Sequence, residues 1–215
     1  MEFTSIHELA SAMQKLLQLP LPGLQLQLNM APPYREVPSE DWVRAQNPRL
    51  AGVLLLLCVN EEGWRLVFTK RKAYAGVHSA QVSFPGGKLE KSDADLLMAA
   101  LRETEEEIGV PASKVKIAGP MTPLYIPPSN FLVHPFVGIL TEQVDWRLDP
   151  TEVDVLLEIP ISFLLQDVAR ANRLIQVGSS AREVPGFVWE DHFIWGATAM
   201  MLEEFLAIFA RLKEE

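Results

Sequence analysis

The chain has 215 residues, 48% of them apolar, so it can bury one substantial core, and a single domain is the simplest organisation. Its formal net charge of −9 and isoelectric point near 5 argue against general binding of nucleic acids or anionic membranes, because proteins that bind such polyanions carry basic surfaces. No apolar run is long enough for a membrane span, the N-terminus lacks a signal-peptide pattern, and the single cysteine, Cys58, excludes an internal disulfide. We therefore expect a soluble, unprocessed protein of the reducing cytoplasm.

The first 48 residues differ in character from the rest of the chain. Apolar side chains recur at helical spacing from Ser5 to Leu17, which predicts an N-terminal helix that ends before Pro20. The polar, proline-rich segment from Ala31 to Pro48 predicts an irregular crossing or a lid. We expect residues 1–48 to pack on a domain formed by residues 49–215.

The domain opens with two apolar runs, AGVLLLLCV and WRLVFTKR, which are separated by Asn60-Glu61-Glu62-Gly63, a typical hairpin turn. Strand character returns in KVKIAGPM, FLVHPFVGIL, VDVLLEIPI, RLIQVG and VPGFVWEDHFIWG, and short and closing helices are predicted in SFLLQDVARA and TAMMLEEFLAIFARL. Strands outnumber helices without regular alternation, so the predicted fold class is α+β, with a mixed sheet between helices.

A strong helix is predicted from Ser92 to Ile108, with Ser92 and Asp95 as a capping pair and Gly109 as the terminator. An apolar stripe on it can pack on the sheet. The carboxylates of Glu103, Glu106 and Glu107 lie within one turn, and like charges at this spacing repel one another.

Two explanations of this acidic turn remain open. One is a solvated surface face, which is what most glutamate runs on helices are. The other is a site for a hard divalent cation, Mg²⁺ or Mn²⁺, for which clustered carboxylate oxygens are suitable ligands. Two features favour the metal site: Arg102 can pair with Asp93, and Gly86-Gly87 allows the backbone to approach a ligand closely.

These residues resemble the Nudix box, in which a glycine and an acid precede Arg-Glu-apolar-x-Glu-Glu-x-Gly-apolar. The segment from Arg102 to Val110 matches at every charged position and at Gly109, with Thr104 in an apolar position. Asp93 replaces the usual glutamate, and one additional residue separates it from Arg102. Both departures resemble the coenzyme A pyrophosphatase-like subgroup of the family.

The preceding stretch, TKRKAYAGVHSAQVSFPGG, is similar to the substrate motif of that subgroup. The positions that match are Thr69, Arg71, His78, Gln81, Val82, Phe84, Pro85, Gly86 and Gly87. Three positions depart from the motif: Lys72, Gly76 and Ala80. Gly76 stands where the motif has a basic residue that would contact the nucleotide part of the substrate. Its loss weakens the assignment of coenzyme A as substrate and leaves the hydrolase assignment intact.

The resemblance implies a Nudix fold and a hydrolase that cleaves nucleoside diphosphates linked to another group, with Mg²⁺ or Mn²⁺ as cofactor. It implies that the carboxylates of Glu103, Glu106 and Glu107 and the carbonyl of Gly87 bind the metal. Glu106 is also a candidate water activator, and Glu152 is a candidate general base, although it can equally be a surface acid that begins a strand. The candidate substrate-binding residues are Lys70, Arg71, His78, Gly86 and Gly87.

For the substrate, the resemblance points to coenzyme A or an acyl-CoA, which would give 4'-phosphopantetheine or its acyl form and adenosine 3',5'-bisphosphate. ADP-ribose and a nucleoside triphosphate are alternatives within the same chemistry. A Nudix module that binds a nucleotide without cleaving it is an alternative of another class. Homodimers are common among proteins of this resemblance, so a homodimer is possible here too.

Overall fold

The structure is a computed structural model that describes residues 6–72, 81–177 and 180–212, which form two sheets and six helices within those ranges. The helices are α1 (Ile6–Leu17), α2 (Leu24–Gln27), α3 (Glu40–Ala45), α4 (Leu96–Ile108), α5 (Ile161–Leu164) and α6 (Gly196–Arg211). The strands are β1 (Arg49–Asn60), β2 (Gly63–Arg71), β3 (Val82–Ser83), β4 (Gly86–Lys88), β5 (Val115–Pro120), β6 (Leu124–Ile126), β7 (Phe131–Leu140), β8 (Val153–Pro160), β9 (Arg170–Val177), β10 (Ser180–Trp189) and β11 (His192–Trp195). Single 3₁₀ turns occupy Leu28–Met30, Ala112–Lys114, Pro127–Ser129 and Asp167–Ala169.

The larger sheet is mixed, as the sequence predicts. Its central strand β1 runs parallel to β7 and pairs antiparallel with β2 through the Asn60–Gly63 hairpin. The short strand β4 also pairs with β1, because β2 and β4 occupy different lengths of the same edge. At the β4 end, the strand order across the sheet is therefore β4–β1–β7–β6. The smaller sheet contains β9, β10 and β11.

Both faces of β1 are buried, which explains its continuous apolar run. Leu55 and Leu57 face the core that contains α1 and α6, whereas Leu54, Leu56 and Cys58 face the core that contains α4. The mixed sheet thus lies between helices, and the α+β prediction is confirmed. Cys58 is a buried core residue whose thiol donates to Glu158 Oε2 over 3.4 Å, and burial raises its pKa to about 12.

The N-terminal segment contacts the domain at two places. Helix α1 places Leu9, Ala10 and Met13 in the core against β5 and α6. The proline-rich segment after it is less irregular than predicted, because Ser39 caps α3 by accepting a hydrogen bond from the Trp42 N–H over 3.3 Å. The domain boundary at residues 48 and 49 stays a prediction.

Helix α4 begins at Leu96, so the predicted start at Ser92 is wrong. Asp95 is the N-cap, and its Oδ1 accepts the Met98 N–H over 2.8 Å. Asp93 lies outside the helix, since its carboxylate binds Arg102 and the Glu90 N–H instead. Gly109 ends the helix in the left-handed conformation, as predicted, with a φ of 75°.

Among the residues that the structure describes, no helix is long and apolar enough to cross a membrane.

The burial of α1 generates a prediction about stability. Leu9 is fully buried, so Leu9→Ala leaves a cavity and should lower the free energy of unfolding by about 2–5 kcal/mol. Leu19, which is 50% exposed just beyond the helix, provides the control, and Leu19→Ala should change stability by less than about 0.5 kcal/mol. Urea unfolding measures both values, and equal effects would contradict the packing of α1 in the core.

Candidate functional site

A cavity of about 1660 Å³ opens where α4 faces β4 and the end of β2. Pockets for small-molecule ligands usually occupy roughly 300–1,000 Å³, so this space can hold a ligand longer than a mononucleotide. The predicted site residues that line it are Arg71, Gly86, Gly87, Glu103, Glu106 and Glu152. The fold therefore brings together residues from four separate parts of the sequence.

Strand β4 forms one wall of the cavity. A side chain is excluded at each of its two glycines by a different neighbour. Gly86 has a φ of 143°, and a β-carbon there would lie 2.4 Å from the Gly52 carbonyl oxygen and 2.6 Å from Val53 Cα. Gly86 therefore allows β4 to pair with β1. A β-carbon on Gly87 would lie 2.3 Å from the carboxyl carbon of Glu103, so the absence of a side chain leaves space for that carboxylate.

Glu107 is the most buried acid of the turn, with 2% of its surface exposed. Its Oε1 accepts from Arg71 Nη2 over 3.2 Å, and its Oε2 accepts from the Gly86 N–H over 3.3 Å. Burial raises the pKa of the Glu107 carboxyl to about 8, while Arg71 and the Gly86 N–H lower it and the nearby Glu103 and Glu152 carboxylates raise it. The solvated-face explanation therefore does not describe Glu107.

Arg102 organises the rest of the acidic turn, as the sequence suggests. Its Nε and Nη2 bind both carboxylate oxygens of Asp93 over 2.9 and 3.0 Å. Its Nη1 donates to Glu103 Oε1 over 3.1 Å and to Glu106 Oε2 over 2.9 Å. Burial raises the pKa of Glu103 against the opposing effect of Arg102, and Glu106 and Glu152 add to the rise. Glu105 is exposed and solvated.

Glu152 reaches this group from the loop between β7 and β8. That loop closes over the C-terminal end of α4, where the Arg147 N–H donates to the Ile108 carbonyl over 3.1 Å and the Asp149 N–H to the Glu107 carbonyl over 3.0 Å. Glu152 is then fixed by its own N–H, which donates to the Asp149 carbonyl over 3.2 Å. Its side chain lines the cavity and influences the pKa of both Glu103 and Glu107.

The candidate cations are not all brought to the cavity. Arg71 lines it, but Lys70 points elsewhere because successive side chains of a strand alternate, and its Nζ lies 3.7 Å from Asp154 Oδ2. His78 lies outside the described residues. In the described structure, Lys70 therefore does not line the cavity with Arg71, Gly86 and Gly87, the other predicted substrate-binding residues.

The donors suit a hard cation in kind, since they are carboxylate oxygens beside the exposed edge of a glycine strand. Their present arrangement is not that of a formed metal site, because no three acidic, histidine or cysteine side chains in residues 6–72, 81–177 and 180–212 converge on one point. The carboxylates face arginines instead: Arg71 contacts Glu107, and Arg102 contacts Glu103 and Glu106. A cation would have to compete with these guanidinium groups.

The sequence predicts an irregular crossing or a lid from Ala31 to Pro48, but it identifies none of the residues in this segment as part of the cavity wall. The segment before and within α3 contributes Tyr34, Arg35, Val37 and Trp42, and the turn after β6 contributes Pro127 to Ser129. Nothing in the local sequence predicts this placement, although exposed aromatic residues in a proline-rich stretch are a weak signal of a binding loop.

Known proteins resemble this chain in sequence and in fold. The NUDIX domain family matches residues 48–173. Proteins named "Uncharacterized Nudix hydrolase NudL" from Salmonella newport and Salmonella enteritidis are each 36% identical over 164 residues, which cover 74% of this chain and 81% of theirs. The crystal structure of a MutT/nudix family protein from Enterococcus faecalis has a TM-score of 0.51 at 15% identity, and the match covers 100% of this chain and 76% of that one.

The geometry of Arg102 predicts a strong coupling with Asp93. In a double-mutant cycle of Arg102→Met and Asp93→Asn, the coupling energy should exceed that of the exposed pair Arg44 and Glu40. The reason is that Arg102 makes a two-bond contact with Asp93 and is only 24% exposed, whereas the Arg44 and Glu40 side chains are 74% and 88% exposed. Urea unfolding of both cycles makes the comparison, and equal coupling energies would refute it.

Proposed function

Since this chain belongs to the Nudix hydrolases, enzymes that act on pyrophosphate bonds, we propose that it cleaves the diphosphate bond of coenzyme A or an acyl-CoA. The observation that carries the proposal is the shared cavity, in which Glu103 and Glu106 of the acidic turn lie beside the glycine strand β4 and the loop acid Glu152, while Glu107 is buried and does not line it. The products would be 4'-phosphopantetheine or its acyl form and adenosine 3',5'-bisphosphate.

Nudix hydrolases generally use divalent metal ions, and we propose Mg²⁺ or Mn²⁺ here. Glu103 and Glu107 would be the principal ligands, with Glu106 and the Gly87 carbonyl as further ligands. When bound, the cation neutralises charge on the diphosphate oxygens and lowers the pKa of a bound water. This explains how a protein of net charge −9 can hold an anionic substrate.

The chain's own residues would bind and orient the reacting groups. Arg71, released from Glu107, can donate to a diphosphate oxygen as a guanidinium fork. The backbone of Gly86 and Gly87 allows the diphosphate to approach β4 without contact with a side chain. Glu152 and Glu106 are the candidate bases, because both line the cavity and can accept a proton from an attacking water.

The coenzyme A assignment is supported by the substrate motif that precedes α4 and by the size of the cavity. The departures at Lys72, Gly76 and Ala80 keep ADP-ribose and nucleoside triphosphates as alternatives. The pairing of the carboxylates with Arg71 and Arg102 favours one further alternative, a module that binds a nucleotide without cleaving it. The cytoplasm is the proposed location, where a single reduced cysteine is usual.

A substrate panel tests the function. Coenzyme A, ADP-ribose and nucleoside triphosphates are incubated with the protein, with and without Mg²⁺ or Mn²⁺, and the products are separated by chromatography. We expect metal-dependent cleavage of coenzyme A at the highest kcat/KM. Hydrolysis of none of them, together with tight nucleotide binding, would instead support the non-catalytic module.

The variant for this panel is Glu107→Gln, which keeps the shape of the side chain and removes its charge. Loss of an outer-shell partner of a metal ligand typically costs 10- to 100-fold, and Glu107 is a proposed ligand itself, so we expect activity to fall by roughly 100-fold or more. Glu105→Gln is the matched control, since Glu105 is exposed on the same turn and should leave activity unchanged. Mn²⁺ binding, followed by electron paramagnetic resonance, should weaken only in the Glu107 variant.

The two glycines of β4 predict separable defects. In Gly87→Ala the added methyl group would displace the flexible carboxylate of Glu103, so activity should fall about tenfold or more while thermal stability changes little. In Gly86→Ala the methyl group would meet the backbone of β1, so the protein should lose about 2 kcal/mol or more of stability. Thermal unfolding measures the stability of both variants, and steady-state kinetics measures their activity. A stable, fully active Gly87→Ala protein would argue against Glu103 as a ligand.

A further inference from the structure

Arg35 is a half-buried cation in the wall of the cavity that the proposed chemistry does not use. It lies in the proline-rich segment before α3, and its Nη2 donates to the backbone carbonyl of Tyr125 on β6. A guanidinium carries five N–H donors, and within the described residues the Arg35 guanidinium makes no hydrogen bond other than the one to Tyr125, while its backbone N–H donates to the Pro32 carbonyl over 2.8 Å. No carboxylate in the described ranges lies within ion-pair distance of it.

Partial removal from water favours an anionic partner for this guanidinium, because desolvation weakens the hydration of its charge. Burial lowers the pKa of Arg35, and no neighbouring carboxylate opposes that effect. The cavity is the space into which its remaining donors can be satisfied. A ligand anion would supply the missing partner.

The position of Arg35 separates it from the acidic turn. Its anchor, Tyr125, pairs with Leu132 of β7, and Gly87 pairs with Gly52 of β1. Three strand spacings lie between β4 and β6, which is about 14 Å across the sheet. A diphosphate held beside Gly87 therefore lies near β4, whereas Arg35 is anchored at β6, where another anionic group of the same ligand could reach it.

Aromatic side chains beside Arg35 indicate what carries that group. Tyr34 and Trp42 line the cavity and are 43% and 48% exposed, and the Arg182 guanidinium lies 4.2 Å from the centre of the Tyr34 ring. Exposed rings in a cavity wall can stack on a nucleobase, because every base offers an aromatic face. A base on these rings would bring its ribose close to Arg35.

We propose that Arg35 is a specificity-determining residue that binds a phosphate monoester on the ribose of the substrate, with Tyr34 and Trp42 as the surface for the base. The inference rests on the proposed function and refines it, because it explains how the protein distinguishes a nucleotide with a second phosphate from one without. It assigns a binding role to the N-terminal segment that no motif in the sequence identifies.

The test compares substrates that differ only in this phosphate, coenzyme A and 3'-dephospho-coenzyme A. Wild-type protein should prefer coenzyme A in kcat/KM, and Arg35→Gln should lose roughly 10- to 100-fold of that preference, mainly through KM. Arg35→Lys should keep part of the preference, since it retains the charge but not the fork. If Arg35 acts on structure alone, Arg35→Gln would lower kcat/KM equally for both substrates. That result would overturn the assignment.

Arg49→Gln is the matched control. Arg49 also donates to a backbone carbonyl, that of Ser129 over 2.7 Å, but it is exposed and does not line the cavity. The preference between the two substrates should be unchanged in this variant. The same loss of preference in Arg49→Gln and Arg35→Gln would refute a specific role for Arg35.

A binding experiment separates failure of this inference from failure of the proposed function. Calorimetry with adenosine 3',5'-bisphosphate and adenosine 5'-monophosphate requires no cleavage, so it applies even if coenzyme A is not hydrolysed. Wild-type protein should bind the bisphosphate about tenfold more tightly or better, and Arg35→Gln should remove the difference. Equal affinities in the wild type, or no binding of either adenylate, would overturn the inference.

Discussion

Repulsion among the carboxylates on one turn of α4 is the constraint on which this site depends. Glu103, Glu106 and Glu107 carry like charges within one turn, and Glu107 is almost completely buried. Burial, with repulsion from neighbouring carboxylates, raises the pKa of both Glu103 and Glu107. Two guanidinium groups, Arg71 and Arg102, offset that repulsion in the described structure. Any cation that enters the turn replaces an existing favourable contact, so its net affinity is the difference between two electrostatic arrangements.

Release of Arg71 and of Arg102 from the acidic turn would leave the two guanidinium groups in different states. Arg102 has a second partner in Asp93, which holds the guanidinium by two hydrogen bonds even if Glu103 and Glu106 turn away. Arg71 has Glu107 as its described ion-pair partner, so its release makes a charged fork available at the cavity wall. A substrate phosphate can compensate Arg71 directly. This difference suggests that Arg102 keeps the loop before α4 in place, while Arg71 is the guanidinium suited to contact the ligand.

Features encoded locally were predictable from the sequence, and those that depend on distant contacts were not. The Asn60–Gly63 hairpin, the end of α4 at Gly109 and the pairing of Arg102 with Asp93 follow from turn chemistry and helical spacing. The predicted start of α4 is wrong because the sequence pattern treats Ser92 and Asp95 as one capping pair, whereas Asp95 alone caps the helix and Asp93 binds Arg102. The site roles of Glu103, Glu106, Glu107 and Glu152 stay predictions.

The wall formed by residues 32–42 shows why the rest of the site was beyond sequence reasoning. Its position is set by a hydrogen bond from Arg35 to a carbonyl 90 residues away and by the edge contact of Trp42 with Tyr125, whose ring centres are 6.1 Å apart. Neither contact has a local pattern, since each joins an irregular segment to a strand far along the chain. The acidic turn could be read from helical periodicity because its residues are neighbours in sequence. The acidic turn is therefore encoded locally, whereas Arg71, Gly87 and Glu152 reach the same cavity only through the fold. The wall of residues 32–42 is likewise assembled by tertiary contacts, so variation in the N-terminal segment can alter this wall without disturbing the acidic turn.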